Sequence, residues 1–218
     1  MWSPVAIHGS PKLLIIDASD GTDNWEALFG MRLFNALNRK IDMVGTRPLK
    51  IKLPTKFPDL EEQFQQANCI FLFVRGGVNE PPSWSRLMDY WSWLNTNVHE
   101  PKLFVGCAWE DYHPKMSQMI LKQETHFAPI ALVPEQGVTA REIGLFSLKF
   151  FAELGLHSND EITGKMAWFS ASKAKEMMKG NETEPYPNGI NSSWNFCRIN
   201  SAYVLGLGTD LTHSLTMI

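Results

Sequence analysis

The sequence predicts an α/β protein: a three-layer sandwich with a mostly parallel central sheet of about five to six strands and helices on both faces. Three observations predict it. Short apolar runs recur without polar alternation, as strands buried on both faces do. Stretches with apolar residues at helical spacing separate them. The two patterns alternate along the chain, which implies parallel strands joined by right-handed crossovers. With 218 residues, 44% hydrophobic and 20% charged, the chain is long enough to bury roughly 70% of its unfolded surface in one domain. The core is expected over residues 12–179, with 180–218 as a C-terminal extension.

Leu13-Leu14-Ile15-Ile16 reads as a buried strand that leaves through Asp17-Ala18-Ser19-Asp20-Gly21. Asp23 and Glu26 form a capping box for the next helix, whose apolar face is Trp25, Leu28, Phe29, Leu33, Ala36 and Leu37. Leu49, Ile51 and Leu53 alternate with Lys50 and Lys52, the pattern of an edge strand with one wet face. Leu60, Phe64 and Ala67 mark a short helix. Cys69-Ile70-Phe71-Leu72-Phe73-Val74 is the central strand and ends at Arg75-Gly76-Gly77. Trp84, Leu87, Met88, Trp91 and Leu94 mark a helix. Leu103-Phe104-Val105-Gly106-Cys107 follows as the fourth strand, and Met116, Met119 and Ile120 mark a further short helix. Ile130-Ala131-Leu132-Val133 is the fifth strand, and Ile143, Ser147, Phe150, Phe151 and Leu154 form one face of a long helix. A last helix spans about Glu161 to Met178. Beyond a turn-rich loop, Ser201–Gly206 returns as a final strand.

A formal charge of −3 gives no basic excess, so neither nucleic acid nor an anionic membrane is an expected partner. No window approaches the ~20 apolar residues of a membrane span, and no signal segment opens the chain, so a cytoplasmic location is expected. The three cysteines, Cys69, Cys107 and Cys197, are widely spaced and include no Cys-x-x-Cys pair, which suits a reducing compartment and signals no zinc cage. The six histidines show no metal-ligand spacing, so no metal is expected.

Ligands of open α/β sheets bind at the carboxyl ends of the strands. The residues there are Asp17, Asp20 and Asp23, then Arg75, Gly76 and Gly77, then Cys107, Glu110 and Asp111, and last Glu135. Such an acidic crest suits a cationic side chain better than a phosphate, although Asp20 and Asp23 serve equally well as helix caps. Cys107 is either a nucleophile projecting from the sheet edge or a small buried core residue. As a nucleophile it needs a base. Arg75 could stabilise a thiolate but cannot take its proton, and His113 is the nearest histidine in sequence.

From Cys69 onward the order of features resembles the caspase-like CHAT domains, relatives of separase. In that family one strand ends in a His-Gly motif and the next in an Ala-Cys motif. Here the corresponding segments are Phe71–Gly77, ending Arg75-Gly76-Gly77, and Leu103–Ala108, ending Gly106-Cys107-Ala108. Pro129–Val133 and Phe150–Gly155 resemble the family's fifth strand and following helix, and Trp194 with Tyr203–Gly206 resembles its closing strand. The resemblance implies a cysteine peptidase domain with Cys107 as nucleophile and the Gly76 and Gly77 amides as oxyanion donors. Asp17 and Asp111, beside Arg75, would form a pocket for a basic peptide segment. Arg75 stands where the family carries its catalytic histidine, so a degenerate or inactive peptidase is expected, with a protein or peptide partner and no cofactor.

A second resemblance is to flavodoxin-like FMN-dependent reductases, carried by Ala67–Phe73, Pro82 and Asp89-Tyr90-Trp91, with Ser19–Asn24 in place of the phosphate loop. It implies FMN as cofactor and NAD(P)H oxidation. A third possibility is a non-enzymatic interaction domain that presents Trp84, Trp91 and Trp93 to a partner.

Overall fold

In a computed structural model, residues 6–19, 24–75, 83–108, 127–134, 140–179, 194–197 and 204–205 are described. The elements in chain order are β1 (Ala6–His8), β2 (Lys12–Ser19), α1 (Asn24–Leu37), β3 (Asp42–Met43), β4 (Leu49–Lys50), α2 (Glu61–Gln66) and β5 (Cys69–Arg75). They continue with α3 (Ser83–Asn97), β6 (Leu103–Ala108), β7 (Ile130–Pro134), α4 (Ala140–His157), β8 (Glu161–Thr163), α5 (Gly164–Lys179), β9 (Trp194–Cys197) and β10 (Val204–Leu205). The main sheet has the order β10-β9-β7-β6-β5-β2-β3, with β4 also paired to β2. β2 through β7 run parallel, and β9 is antiparallel to both β7 and β10. The α/β class and the mostly parallel sheet are as the sequence predicts.

The unalternating runs at β2, β5 and β6 are buried along almost their whole length because both faces are covered. On one face Leu13, Ile15, Phe71, Phe73, Val105 and Cys107 pack with α1, α4 and α5 residues in one cluster. Phe29 meets Phe73 edge-on at 5.0 Å, and Phe71 meets Phe151 at 6.3 Å. Ala167, Ala171 and Ala174 are the small buried residues of α5, which packs against α4.

The opposite face carries α2 and α3 over Leu14, Ile16, Ile70, Leu72 and Phe104. Leu87, Trp91, Leu94 and Val98 repeat at helical spacing and are buried. Trp91 packs at 4.9 Å from both Phe104 and Phe127. Burying each such large side chain contributes about 1.5–3 kcal/mol. The tryptophan stripe is therefore core: Trp91 is wholly buried, Trp84 is half-buried, and half-buried Trp93 donates from Nε1 to the Thr55 carbonyl at 3.2 Å. This is the packing role that a stripe of core-face width implies, and it counts against the alternative in which the helix presents its tryptophans to a partner.

Four short strands, β1, β3, β8 and β9, are not separate strands in the sequence expectation. β3 and β4 share the edge beside β2, where one longer strand over Leu49–Leu53 is expected. β1 pairs antiparallel with β8 in a separate ribbon, and β8 takes Glu161–Thr163 from the start of the predicted last helix. The capping role of Asp23, the short helix around Met116–Ile120 and the loop after residue 179 lie outside the described residues.

Candidate functional site

The carboxyl ends of β2, β5 and β6 lie side by side. Their register places Asp17, Phe73 and Cys107 in one row across three adjacent strands. All three are buried. Successive residues of a strand alternate faces, so Arg75 shares the face of Phe73, one pleat nearer the carboxyl edge, and is half-buried.

Cys107 has no exposed surface and belongs to the same buried cluster as Phe29, Phe73, Phe146 and Phe150. Burial pushes its thiol pKa well above the ordinary value of 9.0. A nucleophilic cysteine needs the opposite shift. The expectation that the sulfur projects into solvent-facing space is therefore corrected. β6 runs one residue further, to Ala108, and leaves Cys107 inside the covered part of the sheet. Its neighbour Gly106 faces the other layer, where a Cβ would lie 2.5 Å from the Phe104 ring.

Asp17 is 1% exposed and forms an ion pair with Lys50 of β4. Its Oδ1 accepts from the Ser19 backbone N–H at 3.0 Å and from the Ser19 hydroxyl. Gly30 of α1 makes room for it, since a Cβ there would approach Asp17 Oδ2 at 3.3 Å and Phe73 Cζ at 3.2 Å. The carboxylate is thus already matched by the chain's own lysine, and its charge is turned inward. That corrects its assignment to a pocket for a basic side chain. Gly76, Gly77 and Asp111 lie outside the described residues.

Two groups at this end escaped the sequence reading. Arg86 of α3 reaches back to the strand ends, donating from Nη1 to the Arg75 carbonyl at 3.1 Å and from Nη2 to the Ala18 carbonyl at 3.4 Å. Lys50 is the second. Its alternation with Leu49 and Ile51 marks an exposed strand face, and nothing local shows that it meets Asp17 across the sheet edge.

The switch point between β2 and β5 is where a flavodoxin-like sheet holds FMN. Among the described residues, both Ser19 donors turn to Asp17 and two Arg86 donors turn to backbone carbonyls. These four donors are committed within the chain, and residues 20–23 of the expected phosphate loop lie outside the described residues. Also among the described residues, no group of three His, Cys, Asp or Glu side chains comes together that could hold a metal ion, and no helix is long and apolar enough to cross a membrane. No protein-family model matches the chain, and a search of curated proteins finds no match to it.

Proposed function

We propose that this chain is a degenerate caspase-like domain that binds a peptide segment of a protein partner, at the carboxyl ends of its strands, without cleaving it. The observation that carries the reading is the buried thiol of Cys107. It has no exposed surface, burial holds it protonated, and the residue at the end of the neighbouring strand is an arginine, which cannot act as a general base. What supports the caspase-like element is the order of parts. β5 with Arg75 lies directly beside β6 with Cys107, and a closing strand pair, β9 and β10, lies beside β7. What supports binding is the place, since ligands of open α/β sheets sit in the crevice at this end. With Asp17 committed to Lys50, any preference for basic segments falls to residues outside the described ones, such as Asp111.

The test uses the whole chain with fluorescent pools of Arg/Lys-rich and Asp/Glu-rich peptides. Anisotropy reads binding, and mass spectrometry reads cleavage. Saturable binding with intact peptides is expected, unchanged in Cys107→Ala. Turnover that disappears in Cys107→Ala overturns the non-catalytic element. Absence of saturable binding to either pool overturns the peptide-binding element.

A second reading is favoured by one observation. The β3/β4-β2-β5-β6-β7 part of the sheet has the 2-1-3-4-5 strand order of flavodoxin-like folds. Under it the chain would bind FMN, and titration of FMN fluorescence against the protein decides it: quenching that saturates at one equivalent supports a flavoprotein, and no quenching removes it.

A further inference from the structure

The opposite end of the sheet holds a cavity of about 480 Å³, within the range of small-molecule sites. Its walls come from the loop after β1, the residues before β5 and the residues before β6. They are tied together by backbone and amide bonds. Asn68 Oδ1 accepts from the Lys12 backbone N–H at 2.7 Å, and its Nδ2 donates to the Ser10 carbonyl at 2.8 Å and the His8 carbonyl at 3.2 Å. The Leu103 N–H donates to the Asn68 carbonyl at 2.9 Å, and the Lys102 N–H to the Phe127 carbonyl at 2.6 Å. Gly9 takes the left-handed conformation, φ 91°, that lets the loop fold back over the amide.

Lys102 lines this cavity with its side chain only 3% exposed. An ammonium has three N–H donors and no acceptor, and among the described residues Lys102 Nζ meets one partner, Glu100 Oε2 at 2.8 Å. Glu100 is 63% exposed and can swing into water. Burying an ion is costly unless its remaining donors are met. Lys12 and His8 line the same cavity and are solvent-accessible.

We infer that this amino-end cavity binds a small phosphate monoester, with Lys102 as its buried anchor and Lys12 as the second charge. The donors are point charges and no arginine lines the cavity. Two lysines line it, and a phosphate monoester, with about −1.5 to −2 charge at pH 7, matches two point charges better than a carboxylate with one. The volume leaves room beyond the phosphate for the organic part of the ligand, against Ile7 and Pro101. Glu100 competes for Lys102 when the cavity is empty and moves aside when the anion enters. The inference is independent of the carboxyl-end reading.

The experiment is calorimetric titration of the whole chain with phenyl phosphate, and with benzoate as the carboxylate counterpart. Saturable phenyl phosphate binding is expected, tighter than benzoate. Lys102→Met is expected to weaken it by about tenfold to a hundredfold, the loss of a hydrogen bond to a charged group. Glu100→Gln is expected to tighten it, a shift a merely structural role would not produce. Where Lys102→Met does not fold, Lys12→Ala carries the same test, with weaker binding expected. No saturation up to about 10 mM, affinities unchanged in the lysine variants and Glu100→Gln alike, or equal affinity for benzoate would each overturn it.

Discussion

The two ends of the central sheet handle buried charge in opposite ways. At the carboxyl end Asp17 is buried with Lys50 and two Ser19 donors around it, and the nearby Cys107 is uncharged and covered. At the amino end Lys102 is buried with, among the described residues, a single, mostly exposed carboxylate for company. A charge matched from within the fold is a structural part. A charge left with open donors is a place where something else can bind. The described part of the expected site thus has the features of a core, and a ligand-ready group lies about one strand length away, where sequence rules for open sheets do not look.

The comparison breaks most sharply if the carboxyl end proves open. Phe73→Ala removes the buried ring that shares a row with Cys107 and packs on Phe29, and is expected to cost about 3–5 kcal/mol. Chemical denaturation measures the loss, and maleimide labelling with peptide mapping should show Cys107 unreactive in the native protein and labelled in the variant. Rapid labelling of native Cys107 would mean the thiol is accessible after all. Gly106→Ala tests the other face of the same strand. The added Cβ meets the ring of Phe104, which is wedged against Trp91 and Phe127, and a loss of about 1–3 kcal/mol is expected.

The buried thiols also give the fold a pH signature. Cys107 and Cys69 both have pKa values raised by burial, so above pH 9 the unfolded chain releases thiol protons that the folded chain retains. The unfolded state then binds fewer protons, and stability falls as pH rises, by up to about 1.4 kcal/mol per pH unit for each thiol. Urea melts between pH 8 and 10.5 should show a shallower decline in Cys107→Ala than in the parent. The smallest effect is expected at the amino end. Lys102→Met replaces an under-paired buried ammonium with an apolar chain of similar length, and stability should change by less than about 1 kcal/mol in either direction. A loss of several kcal/mol would show that the Glu100 pair is structural and would erase the contrast between the two ends.

Much of the fold was legible because it is written in periodicity. The runs at Leu13–Ile16, Cys69–Val74 and Leu103–Cys107 lack polar alternation, and only double-sided burial tolerates that. The stripe from Trp84 to Leu94 marks α3 for the same kind of reason. β1, β3 and β8 were not legible: two or three residues carry no measurable period, and they are strands only because a neighbour happens to pair with them. The site was less legible still. Cys107 reads as a core residue more readily than as a nucleophile, and the outcome turns on how far β6 extends. Lys102 follows a proline and precedes an apolar strand, so it reads as a solvated lead-in, yet it is buried beside a cavity that Glu100, Asn68 and the loop after β1 also line.

Asn68 links that loop to the sheet. One side chain holds the Lys12 amide on one side and the Ser10 and His8 carbonyls on the other, while its own backbone carbonyl receives Leu103. Residues 8–12 are therefore fastened to the starts of β5 and β6 rather than laid over them. In deuterium exchange the Lys12 and Leu103 amides should open as one unit, and the opening of that unit should set the rate at which solvent reaches the base of the sheet.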